Sequence, residues 1–337
     1  MWDRDVQSPP LAFRRLAGAT LGAALALVAV GGAVRATDSG LACPDWPACF
    51  GQWVPPPGAR VWLEHSHRLL AGVVGLLIAA LLLWALLRLR RRRGLVAAAI
   101  AAAVLVIAQA GLGALVVLRL LAAELVTAHL GMSFAVLACL VLLVRGAAPT
   151  TGAGACRGAG SADDRRVAGA AGFVAGLAGL QALLGAHTTG LGAGLAWRTW
   201  PLYDGTVLPA IADVGQLTHV AHRTLAVVVL GGVIALAVVA RRHRARQRAA
   251  GAWTASHAWL VRGADAALAL TVAQIALGVA NLATATSALT VIPHLAVASW
   301  IWTVLVAVAA HAAWLAPIRA CGRGRAPAGP PAEGIAA

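Results

Sequence analysis

Residues 109–129, QAGLGALVVLRLLAAELVTAH, and residues 274–294, QIALGVANLATATSALTVIPH, are two versions of one segment, each opening on glutamine and closing on histidine 20 positions later. The correspondence extends upstream. Trp46-Pro47, Gly51 and Pro55 precede Glu64-His65-Ser66-His67-Arg68 in the first half; Trp200-Pro201, Gly205 and Pro209 precede His219-Val220-Ala221-His222-Arg223 in the second. One unit has been duplicated, and each copy carries two histidines at matching places, His67 with His129 and His222 with His294.

Composition identifies the solvent of this duplicated unit. At 60% hydrophobic and 12% charged residues, with a mean hydropathy of +0.81, the 337-residue chain is too apolar for a water-soluble domain. Eight apolar stretches approach the ~20 residues that cross a bilayer: 13–34, 63–87, 95–118, 125–144, 167–186, 217–240, 264–282 and 288–315. Backbone groups in lipid find no water, so runs of this length must be helical. The first is too long an apolar core for a cleaved signal peptide and begins the first repeat. The fold expected is an all-α integral membrane protein, eight transmembrane helices arranged as two tandem four-helix bundles. Four is an even number of crossings, so the copies share one orientation and are related by a pseudo-twofold axis along the membrane normal.

A net charge of +15 would suit a nucleic-acid ligand, but its distribution argues against one. All 27 basic residues are arginine, and most fall in alternate loops: Arg14 and Arg15; Arg88 and residues 90–93; Arg145, Arg165 and Arg166; the cluster from Arg241 to Arg248; and Arg319, Arg323 and Arg325. The opposite loops hold only Arg35, Arg60, Arg119 and Arg198. By the positive-inside rule both termini are cytoplasmic, in a bacterial-type plasma (inner) membrane. Loops 35–62 and 188–215 then face outward as compact caps rich in Gly, Pro and Trp. The expected divisions are an N-terminal repeat over 1–150, a cytoplasmic linker over 151–165, a C-terminal repeat over 166–318 and a disordered cytoplasmic tail over 319–337.

His67, His129, His222 and His294 each lie a turn or so into an even-numbered helix that starts at the outer surface. Ionisable groups in membrane spans are costly and usually mark function. Two imidazoles from two helices of one bundle form an axial pair for a haem iron, and two repeats give two such sites. Zinc is a weaker reading, because neither half supplies a compact set of four His, Cys or carboxylate ligands. No Cys-x-x-Cys-His indicates covalent haem. His243 in the arginine cluster, His257 in a linker and His311 near the end of the last helix are weak candidates, while His187 at the outer end of the fifth helix lies nearer the sites.

The copies also differ. Glu64 stands three residues before His67, and its counterpart before His222 is His219. A spacing of three puts Glu64 beside the His67 ring, as a proton donor or acceptor; equally, Arg68 four residues on could hold it in an ion pair. Arg68 and Arg223 follow their histidines, either as contacts to haem propionates or as headgroup anchors. Cys43 and Cys49 lie in the first cap only, where a disulfide would staple the loop or exchange electrons with a thiol partner. Cys139, Cys156 and Cys321 are expected to be free thiols.

The string GGAVRATDSGLACPDWPACFGQWVPP followed by WLEHSHRLLAG resembles the first outer loop and second helix of haem A synthases. HTTGLGAGLAWRTWPLYDGTVLP, THVAHR and VIPHLAVA in the second half are similar to the same family. The resemblance spans nearly the whole chain apart from the tails and linkers. It implies that His222 and His294 ligate a haem b cofactor and that His67 and His129 surround the substrate, haem O. It also implies that Glu64 is the essential glutamate and that Cys43 and Cys49 form the family's outer-loop pair. The reaction implied is two hydroxylations of the C8 methyl of haem O and loss of water, giving the formyl group of haem A for cytochrome oxidase. Implied partners are haem O, membrane lipid, a haem O synthase and an electron donor; a homo-oligomer is compatible with the chain, and nucleic acid is not expected. The competing reading is a non-catalytic dihaem b-type membrane cytochrome passing electrons from quinol, against which the Glu64/His219 difference stands.

Overall fold

The computed structural model describes residues 9–148, 162–251, 253 and 255–315. Among these residues there are eight α-helices: α1 Leu11–Ala36, α2 Ala59–Arg88, α3 Arg93–Leu118, α4 Ala123–Gly146, α5 Ala162–Gly190, α6 Val214–Ala249, α7 Ala255–Ala283 and α8 Ala288–Leu315, with one 3-10 turn at Ala193–Leu195. All eight contain a segment long and apolar enough to cross a bilayer, so the chain is a multi-pass membrane protein. Among the described residues there is no strand, only two isolated bridges in the caps, Cys49 with Gln52 and Tyr203 with Thr206.

Several helices are longer than their apolar stretches. The apolar part of α6 ends near residue 240, yet the helix continues to Ala249; α7 begins at Ala255 rather than near 264. Apolarity marks only the part of a helix that lies in lipid, whereas arginine is a good helix former and carries the backbone ladder onward into water. His257, expected in a linker, is consequently in the first turn of α7. The expected linker likewise loses residues 162–165 to the start of α5, whose first turn carries Asp163 and Asp164, acids that complement the positive end of the helix dipole. The remainder of that linker (with Cys156) and the tail 319–337 (with Cys321) lie outside the described residues; Cys139 is a free thiol.

Packing follows the duplication. In the first half α1 packs on α2 and α4, α2 on α3, and α3 on α4; in the second, α5 packs on α6 and α8, α6 on α7, and α7 on α8. The halves meet through α1 with α8, α4 with α5, and α4 with α8, a set that maps onto itself when each helix is exchanged for its partner four places away. Small residues permit these crossings: a Cβ on Gly32 would meet Leu295 at 3.1 Å, and one on Gly190 would meet Ala123 at 2.7 Å. Phe134 of α4 and Trp302 of α8 stack at 4.9 Å across the same seam. Each half retains its own core, one around Phe13, Ile78, Leu81, Leu95 and Leu140, the other around Val233, Leu236, Leu260 and Leu305. The short α3–α4 and α7–α8 links repeat as well: Leu120 and Leu121 have φ of 52° and 62°, and Ala285 and Thr286 have 50° and 62°.

Candidate functional site

Each half places one histidine on its second helix and one on its fourth, and each ring lies against a glycine of the preceding helix. A Cβ on Gly31 of α1 would stand 3.1 Å from His67 Nε2, and one on Gly113 of α3 would stand 3.1 Å from His129 Cε1. On Gly185 of α5 it would reach His222 Cε1 at 2.7 Å, and on Gly278 of α7 it would reach His294 Cε1 at 3.3 Å. Lacking a Cβ, these glycines let an imidazole lie on bare helix backbone. Within each half the two rings are near enough to interact electrostatically.

The glycines were visible in sequence only as part of the repeat. A stronger signal accompanies three of them: Gln109, Gln181 and Gln274 precede Gly113, Gly185 and Gly278 by four residues, one helical turn, which puts amide and cradle on one face. Leu27 holds that place before Gly31. The Gln109 amide donates to the His129 carbonyl at 3.0 Å and to Ser133 Oγ at 2.7 Å. His222 Nδ1 lies 3.1 Å from the Gln181 carbonyl. Donation from Nδ1–H to that oxygen leaves the lone pair on Nε2, the tautomer a metal requires. The side-chain oxygens of Gln109, Gln181 and Gln274, and Nδ1 of His129, are buried with no hydrogen-bond partner among the described residues. Buried polar atoms of this kind call for a partner, and together with the glycine cradles they suit a planar, iron-centred ligand held between imidazoles.

Gly185→Ala tests the cradle. The added methyl overlaps the His222 ring, and overpacking of this kind costs about 1–3 kcal/mol, so haem content after purification should fall about 10-fold or more. Gly172→Ala, in the same helix with open space around its Cα, should leave the absorbance spectrum unchanged. Equal spectra for the two variants would show that the cradle does not position the ring.

Above each histidine layer sits a cap with one repeated turn. Trp46–Pro47 and Trp200–Pro201 are both cis, and Phe50-Gly51 and Asp204-Gly205 both have positive φ. Asp45 accepts the N–H groups of Phe50 and Gly51 at 2.6 Å each; these bonds, led by that from Gly51, hold its carboxyl below the usual value. Thr199, at the equivalent place, accepts the Asp204 N–H at 2.7 Å. Cys43 and Cys49 are joined as a disulfide in the first cap. At the same offset the second cap has Trp197 and Tyr203, in edge-to-face contact at 5.3 Å. A covalent staple and an aromatic one thus fill the same place, and both cysteines are fully buried, out of reach of a thiol partner while the cap is closed.

Arg68 and Arg223 fasten these caps to the helices. The Nη groups of Arg68 donate to the carbonyls of Asp45 and Ala48 at 2.6 Å, to Cys43 O at 3.3 Å and to Glu64 Oε1 at 2.5 Å. Arg223 Nη2 donates to the carbonyls of Thr199, Pro201 and Leu202 at 2.9–3.1 Å, and its guanidinium lies 4.1 Å from the centre of the Tyr203 ring. Arg68 spends both Nη groups on cap carbonyls and Glu64, whereas Arg223 uses only Nη2 in this way and its buried Nη1 has no hydrogen-bond partner among the described residues.

Glu64 is buried, and its two oxygens serve different groups: Oε1 pairs with Arg68 and Oε2 accepts the Cys43 N–H at 2.7 Å. His219, its counterpart, is buried with Nδ1 2.9 Å from the Ala193 carbonyl. The carboxylate meets a backbone donor and the imidazole a backbone acceptor, so the sequence difference follows the polarity of the cap group each one ties down. His187 Nδ1 lies 3.4 Å from Thr127 Oγ1, across the seam between the halves and two residues from His129.

Four half-buried imidazoles, paired within two duplicated four-helix units beneath stapled caps, mark an eight-span membrane protein with two matched histidine sites. The chain belongs to the cytochrome oxidase assembly protein family, whose pattern it matches over residues 14–60 and 57–306. It is 31% identical over 312 residues to a protein named Heme A synthase from Symbiobacterium thermophilum, covering 87% of this chain and 93% of that one. It is 29% identical over 330 residues to a Heme A synthase of Methylobacterium sp., covering 83% and 86% of the two chains. A shorter match, 33% identical over 126 residues, joins it to a Heme A synthase of Exiguobacterium sp., where it spans 42% of the relative's length and 37% of its own.

Proposed function

We propose that this protein is a haem A synthase, converting the C8 methyl of haem O to a formyl group by two hydroxylations and loss of water, and so supplying haem A for cytochrome oxidase. The observation that carries this reading is the asymmetry between otherwise matched sites: both halves cradle a histidine pair on glycine, but only the first has a buried carboxylate one turn from a histidine. A methyl group resists acids and bases, so the oxidising power comes from haem iron and not from side chains.

His222 and His294 would hold haem b, with the Gln181 carbonyl orienting the His222 ring. His67 and His129 would flank haem O and fix which methyl faces the reacting centre. Glu64, held by Arg68 and the Cys43 N–H, would accept and release protons beside His67, while the cap above it excludes water. The arginine distribution supports cytoplasmic termini in a bacterial plasma membrane, with both caps outside. The substrate would come from a haem O synthase; dioxygen would be the oxidant of each hydroxylation, with two electrons from a membrane donor and two protons reducing its second oxygen atom to water.

The test is pigment analysis of protein co-expressed with a haem O synthase in a host lacking its own haem A synthase. Haem A should accumulate, and the purified protein should carry haem b together with haem O or haem A. Haem b alone, with no haem A in the membranes, would overturn the proposal and identify a dihaem cytochrome.

A further inference from the structure

Opposite the caps, the structure gathers three potential metal ligands that are distant in sequence. Asp164 comes from the first turn of α5, His243 from the last third of α6 and His257 from the first turn of α7. Asp164 Oδ1 lies 3.0 Å from His243 Nε2 and 3.7 Å from His257 Nε2, and the ligand atoms of all three residues lie within 4.8 Å of one another. Ligand atoms about 2.0–2.1 Å from a tetrahedral zinc stand about 3.3 Å apart, a separation the first two distances bracket. The Asp164 and His243 side chains are 4% and 1% exposed, and His257 is 12% exposed.

The contact between Asp164 and His243 is not an ordinary hydrogen bond. Despite the 3.0 Å separation, neither buried ring nitrogen of His243 has hydrogen-bond geometry to any partner among the described residues. Two ligands of one metal approach each other in this way, side by side, without a proton aimed between them. The surroundings fit as well. Trp253 stacks on His257 at 5.7 Å, with Arg244 and Arg248 resting on the same indole. The adjacent carboxylate, Asp163, pairs with Arg166 and Arg246 at 3.3 and 2.8 Å and offsets their charge beside the cluster. A cavity of about 140 Å³, lined by Asp163, Arg166, Arg242, Arg246 and His243 among others, gives a route to the ring.

We propose that Asp164, His243 and His257 form a binding site for a divalent late transition metal such as zinc, which clamps the ends of α5, α6 and α7 on the side away from the caps. Two imidazoles and one carboxylate are a borderline ligand set that suits such ions and leaves a fourth position for water. The first half has Pro10, Arg88 and Arg92 near the equivalent places, so the site belongs to the second half alone. It uses none of the four histidines assigned to haem and does not depend on the proposed activity.

The experiment compares haem-loaded protein without a polyhistidine tag with its His243→Ala/His257→Ala variant. Both are stripped with chelator, dialysed against micromolar zinc chloride and analysed for metal by mass spectrometry. The parent should bind one zinc per chain more than the variant, with affinity at least about 10-fold higher per lost ligand, and zinc should raise the melting temperature of the parent only. The unchanged haem spectrum reports that the variant is folded; if it does not fold, Asp164→Asn, which keeps the side-chain volume, decides in its place. Equal zinc in parent and folded variant, or no zinc in the parent, would overturn the proposal.

Discussion

Glu64→Gln is expected to leave haem b bound while lowering haem A production about 100-fold, which corresponds to about 2.7 kcal/mol of lost barrier reduction. The substituted side chain keeps its volume and can still accept the Cys43 N–H, so the cap retains that tie. It loses the negative charge that pairs with Arg68 and any capacity to take up a proton at neutral pH. Loss of haem A through damage to the cap would look different, with the cap opening to protease and haem O failing to copurify. Pigment extraction alongside limited proteolysis of the cap therefore separates the two causes. Undiminished haem A from Glu64→Gln would reduce the residue to a partner of Arg68 and Cys43.

His222→Ala should abolish the haem b spectrum almost completely, and His294→Ala should do nearly the same. His67→Ala and His129→Ala should retain haem b while forming no haem A. If His222 and His294 hold haem b as proposed, their loss would remove a coordinate bond that neighbouring groups cannot replace, and His222→Ala would also discard the contact to the Gln181 carbonyl. Reduced-minus-oxidised difference spectra of the four purified variants give the comparison directly. Loss of haem b from the first-half variants alone would exchange the roles of the two halves.

Much of the second site can be read from the first by counting residues. Trp46-Pro47 and Trp200-Pro201 share one offset, and at that offset Cys43 and Cys49 fall on Trp197 and Tyr203, the pair that forms the aromatic staple. The same count brings Asp45 onto Thr199, each of which accepts the N–H that shapes its turn. The uses of Arg68 and Glu64 were less legible. An (i, i+4) spacing gives their ion pair, but the cap carbonyls around Arg68 depend on how a Pro- and Gly-rich loop doubles back onto its helix. His257 was misplaced because hydropathy marks where lipid ends, not where a helix ends.

The sequence by itself determined the solvent, the eight helices, the duplication and the four histidines at matched positions. These properties are local: apolar length, charge in alternate loops, and a pattern repeated along one chain. Only the tertiary structure decided which atom each ring meets. Whether His222 rests on Gly185, whether Glu64 turns to Cys43, and whether Asp164 joins His243 and His257 depend on the rotation and crossing of separate helices. Those are set by the packing of small residues and buried side chains across interfaces, which no single stretch of sequence contains.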